Sequence, residues 1–131
     1  DAHNAYFDVM QYASYARSIY PQKRVLRPSD VSFASICAKE AACREAQIHY
    51  LKIIEDIEAT PELLTTLTAY LLDHESSMAN TAKALCCHIN TIKYRLNAIR
   101  DNTGYSPSKP ADVYPLLIAV AINRMRNSEN E

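Results

Sequence analysis

The sequence predicts a mainly α-helical bundle that contains a helix-turn-helix and is preceded by a helical linking region. Three observations predict it. Apolar residues recur at three- and four-residue spacings over long segments, the period of helices with one buried face. A single glycine and six prolines among 131 residues argue against a glycine-turned sandwich or barrel, and against a Gly-rich phosphate loop. Residues 77–100 hold two helical patterns separated only by Cys86-Cys87-His88, the short connection that a helix-turn-helix requires.

Taken in order, residues 8–20 read as a helix with Tyr12, Tyr15, Ala16 and Ile19 in helical register, ended by Pro21. Residues 23–27 are an edge strand or an extended link before Pro28. A Ser- or Asx-capped turn then opens a short helix over 29–37, and a longer Ala- and Glu-rich helix covers 39–57. Thr60-Pro61-Glu62 is a restart signal: a cap-capable Thr, Pro at the first helical position, and an acid in the first turn. The helix it opens carries Leu63, Leu64, Leu67, Tyr70 and Leu71 on one face, and Asp73-His74-Glu75-Ser76 closes it. A boundary near Ala59 therefore separates a helical linking or dimerisation region, residues 1–59, from a helix-turn-helix domain, residues 60–128.

Ser77 caps the next helix, whose core side is Met78, Thr81, Ala82 and Leu85. Beyond the Cys86-Cys87-His88 joint, Ile92, Leu96 and Ile99 form the buried stripe of the second helix. Gly104 ends it. Ser-Pro-Ser-Lys-Pro follows, and Asp112 caps a last helix with Val113, Leu116, Leu117, Val120 and Ala121 facing inward and Pro115 in its first turn.

At 48% apolar composition the chain has enough to bury a core. Its formal net charge of -1 hides a division. Residues 76–100 contain no Asp or Glu but carry Lys83, Lys93, Arg95 and Arg100, whereas acids collect at Glu55, Asp56, Glu58, Glu62, Asp73 and Glu75. A basic field of this kind on a near-neutral protein suits sequence-specific DNA binding with limited non-specific affinity.

The four cysteines have neither zinc-ligand spacing nor a disulfide framework, and read as buried free thiols in a reducing cytoplasm. Neither metal nor cofactor is expected. His3, His49, His74 and His88 are scattered without a related nucleophile or carboxylate, so an enzyme is not the reading. The apolar run 116–122 is too short to span a bilayer. The chain opens on Asp rather than Met, which leads us to expect a piece of a longer protein whose upstream sensor domain is absent.

Successive helix residues rotate by ~100 degrees, so with Ile92, Leu96 and Ile99 inward, Asn90, Tyr94 and Asn97 point most directly outward. Thr91, Lys93 and Arg95 lie on the flanks. Recognition helices present their first turns to the major groove. Asn90 and Tyr94 are placed for base edges, Asn90 suiting adenine, while Lys93, Arg95 and His88 suit phosphates.

Residues 63–127 resemble the C-terminal DNA-binding domain of the PucR/CdaR group of bacterial transcriptional regulators. The resemblance is carried by Tyr70-Leu71, Thr81-Ala82-Lys83-Ala84-Leu85, His88, Asn90-Thr91-Ile92-Lys93-Tyr94-Arg95-Leu96, Ile99 and Thr103-Gly104, in order and spacing. It implies His88, Asn90, Thr91, Lys93, Tyr94 and Arg95 as the DNA-facing set. Ile89 stands where the family usually has Arg, and joins the apolar stripe instead. Pro115 replaces a usual aliphatic residue, and Cys86 occupies a turn position where many helix-turn-helix proteins have Gly.

The expected function is sequence-specific binding of double-stranded DNA by a transcriptional regulator, with helix 89–100 in the major groove. One such helix reads few base pairs, so a homodimer on half-sites ~34 Å apart, or a multiple of that, is expected. The competing reading is a protein-interaction or dimerisation module that couples an upstream sensor to its output through exposed Tyr12, Tyr15, Tyr50 and Tyr70.

Overall fold

The structure is a computed structural model that describes residues 2–129, with side chains from residue 11 onward. Asp1 and the side chain of His3 lie outside the described residues. Eight α-helices follow one another in the described residues: α1 (Ala2–Ile19), α2 (Pro28–Ala42), α3 (Arg44–Ile53), α4 (Glu55–Glu58), α5 (Pro61–Thr68), α6 (Met78–Ala84), α7 (Ile89–Thr103) and α8 (Pro110–Glu129). A π-helical turn, Ala69–Asp73, extends α5. The helical-bundle expectation holds, and the described residues contain no strand.

The segment 23–27 is thus an irregular link, bent at Arg24 and Val25, and not an edge strand. Its buried anchor is Asp30, almost fully buried, which takes the Lys23 ammonium at 3.0 Å and the Arg27 amide at 2.9 Å. Burial alone would raise the Asp30 pKa, but these two donors prevail and hold it below the usual carboxylate value of 3.8. Helix α2 accordingly opens at Pro28 with Arg27 as its N-cap, not at Ser29, and it runs on to Ala42.

The single helix expected over 39–57 is broken twice. Residues 39–42 complete α2, Cys43 is extended (φ -88, ψ 114), and Ile54 interrupts again before the one-turn α4. The breaks let α2, α3 and α4 share one core, where Cys37, Ile53, Ile54 and Ile57 are all buried in the same cluster.

Helix α8 is the centre of the molecule. Leu116, Ile118, Ala119, Val120, Ala121, Ile122 and Met125 are buried, more than one stripe supplies, because α1, α2, α3 and α5 all pack around it. The apolar cluster therefore runs without interruption from Ala16 to Met125. Asp112 does not cap α8. The helix begins at Pro110, and the Asp112 carboxylate instead accepts the amide of Ser106 at 3.0 Å, fixing the incoming loop. Pro115 sits inside the helix rather than in its first turn, and its missing N–H leaves the Ala111 carbonyl without a helical donor at the fourth residue.

Arg124, on α8, ties the elements that frame the helix-turn-helix. Its guanidinium donates to both Asp73 oxygens, at 2.7 and 3.0 Å, and to the carbonyl of Ile19 at 3.0 Å.

Candidate nucleic-acid interface

The first helix of the motif is set up by an unusual lead-in. The π-turn buries Ala69, Tyr70, Leu71 and Leu72 in succession, which a 3.6-residue period does not do. The chain then reverses through two left-handed non-glycine residues, Glu75 (φ 49) and Ser76 (φ 63), each a strained conformation for an L-residue. Ser77 then caps α6 as expected, its hydroxyl accepting the Asn80 amide at 3.1 Å. Thr81 and Ala82 are buried against α7, with Met78 and Leu85 at the edge of the core.

A left-handed Cys86 (φ 55) makes the joint. The Cys87 amide reaches the Ala82 carbonyl at 3.0 Å and the Cys86 amide reaches that of Lys83 at 3.3 Å. This six-to-one and five-to-two pair is a Schellman stop. It explains why glycine is favoured at the Cys86 position, since a left-handed residue without Cβ carries no strain. Two residues later His88 starts α7 as its N-cap, Nδ1 accepting the Asn90 amide at 3.0 Å.

Helix α7 buries Ile92, Leu96 and Ile99 as expected, each contributing about 1.5–3 kcal/mol of burial. It ends at Gly104 (φ 80), the left-handed C-cap, whose amide bonds the Arg100 carbonyl at 2.9 Å. Ile89 is half-buried against the core.

The opposite face is open. His88, Asn90, Lys93 and Tyr94 are exposed, Tyr94 at 73%, and Thr91 is half-buried beside them. Asn97 is exposed one turn further on. Lys83 on α6 and Lys93 on α7 are exposed and form no ion pair among the described residues. Arg95 is half-buried, its Nη1 donating to the hydroxyl of the buried Thr66 on α5 at 3.2 Å. Arg100 pairs with the adjacent Asp101 at 3.3 Å.

Some sequence expectations need correction here. Tyr70 is buried at 6% exposure and cannot serve an interaction surface; Tyr12, Tyr15 and Tyr50 are half-buried. Of the four free thiols only Cys37 is buried, while Cys43 and Cys86 are exposed. Burial, with Glu40 nearby, pushes the Cys37 thiol up to about 12.

An open cavity of about 840 Å³ lies between the end of α1, α5 with its π-turn, α6 and the end of α8, lined by Tyr20, Leu72, Leu85 and Arg124 among others. None of the six candidate residues lines it. No cluster among the described residues has the donors to hold a metal ion, and no helix among them is long and apolar enough to cross a membrane.

Residues 63–122 match the family model of the PucR C-terminal helix-turn-helix domain. Uncharacterized protein Mb2266 of Mycobacterium bovis and uncharacterized protein Rv2242 of Mycobacterium tuberculosis are each 40% identical to the chain over 68 residues. That overlap is 52% of this chain but 16% of either relative, so the chain spans only a small part of their length. No solved structure matches. The chain carries a helix-turn-helix, and with its helical scaffold this supports, in general terms, the role of a DNA-binding transcriptional regulator.

Proposed function

We propose that this chain is the DNA-binding end of a regulator of the PucR/CdaR group, and that it binds double-stranded DNA sequence-specifically with α7 in the major groove. The observation that carries the reading is the face of α7. Asn90, Lys93 and Tyr94 stand exposed on a helix whose other side is locked into the core, with no carboxylate between residues 76 and 100 to repel phosphate. Asn90 and Tyr94 meet base edges. His88, Thr91, Lys93 and Arg95 engage phosphates and fix the register.

Useful affinity requires two copies, hence a homodimer on two half-sites. Such a dimer, working in the cytoplasm under an upstream sensor domain, needs neither cofactor nor catalysis. The alternative, a module that only joins proteins, draws on the exposed Ile36, Ile48 and Tyr114, on α2, α3 and α8. The experiment is selection of bound duplexes from a random pool. Enrichment of a motif that is lost in a Lys93→Ala, Arg95→Ala variant supports DNA reading, whereas no enrichment by a dimeric protein rejects it. Partner binding that survives the double variant, without DNA retention in either protein, supports the alternative.

A further inference from the structure

Arg95 and Thr66 are 29 residues apart in sequence and meet where α5 crosses α7. Thr66 is fully buried. The other buried polar side chains serve their own locality: Thr81 donates to the Ser77 carbonyl, Asp30 holds Lys23 and Arg27, and Ser106 takes the Ser108 amide. The Thr66 hydroxyl instead has a guanidinium from another helix as its partner among the described residues.

An apolar residue would fill this site without the cost of burying a hydroxyl. The guanidinium spends one of its five N–H groups there. Its Nε and Nη2 have no bond within the described residues, and no buried side-chain polar atom lacks a partner, so these groups reach solvent on the flank of α7 that meets α5.

The geometry points to Thr66 as a positioning residue for DNA binding. This rests on the reading of α7 given above. The hydroxyl pins one edge of the Arg95 guanidinium, and because that group is planar, pinning one edge aims the rest of the fork. Its free N–H groups then meet a phosphate oxygen without first ordering a long side chain, and a pre-ordered contact binds more tightly than the same contact made by a mobile one.

The test uses the whole chain and a fluorescent duplex of about two helical turns that carries the motif enriched from the random pool, titrated over a salt series. Thr66→Val, close in shape but without the hydroxyl, is expected to weaken binding roughly fivefold, about 1 kcal/mol at 1.4 kcal/mol per decade. Thr66→Ser restores it. The salt slope of Thr66→Val stays that of the wild type, because the charge remains, whereas Arg95→Met lowers the slope by about 0.9. In the Arg95→Met background Thr66→Val has no further effect on affinity.

In the free protein, relaxation of the Arg95 Nε–H signal is expected to report a rigid side chain in the wild type and Thr66→Ser, and a mobile one in Thr66→Val. That measurement needs no DNA, and thermal melts separate a folding defect from a binding one. If Thr66→Val does not fold, the Nε–H dynamics of Thr66→Ala replace it. Equal loss of affinity from Thr66→Val with and without Arg95, or an Arg95 Nε–H already mobile in the wild type, overturns the positioning role while leaving the DNA reading intact. A wild-type chain that shows no salt-dependent binding overturns both.

Discussion

Two tyrosines test the placement of α7 most sharply when they are removed in parallel. Tyr94 is 73% exposed and Tyr70 only 6%, although both lie in the stretch that resembles a DNA-binding domain. A tyrosine side chain carries roughly 200 Å². Tyr94→Ala therefore removes about 50 Å² of buried surface, a ceiling near 1 kcal/mol at ~25 cal/mol per Å². Alanine returns about half of that through its better helix propensity. Tyr70→Ala removes nearly the whole side chain from the core, and aromatic truncations of that kind cost about 3–5 kcal/mol.

Equilibrium urea unfolding of the two variants is expected to place Tyr94→Ala within about 1 kcal/mol of the wild type and Tyr70→Ala at least about 3 kcal/mol below it. On the same samples, Tyr94→Ala should lose roughly tenfold in affinity for a selected duplex, the scale of one base-edge contact. A Tyr94→Ala variant destabilised by more than about 2 kcal/mol would mean that the ring seals a packed surface, and the reasoning about α7 would be wrong.

Other predictions follow from single features of the fold. Gly104 is left-handed, and a Cβ there meets nothing within 4 Å, so Gly104→Ala costs backbone strain alone, about 1 kcal/mol in chemical unfolding. Gly104→Asn costs less; a larger loss from Asn than from Ala would contradict the conformational cause. Cys43 and Cys86 are exposed while Cys37 is buried with its thiol pushed up to about 12, so a thiol reagent should modify the first two rapidly and Cys37 only on unfolding, as mass-spectrometric mapping would show. Asp30 has a lowered folded pKa. It therefore adds stability above its ordinary value, and that contribution is lost as pH falls through the folded one. Asp30→Asn should flatten the decline of stability below about pH 4 measured by acid titration.

The helix-turn-helix was legible in the chain because every level there agrees. Ser77 caps, Ala82 is small at the crossing, the Ile92, Leu96 and Ile99 stripe keeps period, and Gly104 stops α7. The break at Cys43 was not legible, since helix-forming residues flank it and neither Gly nor Pro marks it; tertiary packing overrides propensity there. Ile118, Ala119, Ile122 and Met125 were missed as core for a related reason: a helix surrounded by others buries more than the single stripe that periodicity reveals. Tyr70 was misjudged as exposed in the interaction reading although it continues the Leu63 and Leu67 stripe at helical spacing, and the structure buries all three. The Arg95–Thr66 tie joins two helices distant in sequence, and no local pattern encodes such a meeting.

The most direct measurement of the central claim is the pattern of amide and side-chain NMR shifts when duplex DNA is added to the labelled chain. The changes are expected to concentrate at residues 88–97, with Asn90, Lys93 and Tyr94 foremost and the buried Ile92, Leu96 and Ile99 responding only weakly. Changes centred instead on Ile36, Ile48 and Tyr114, or no changes with a protein shown to be folded and dimeric, would contradict it.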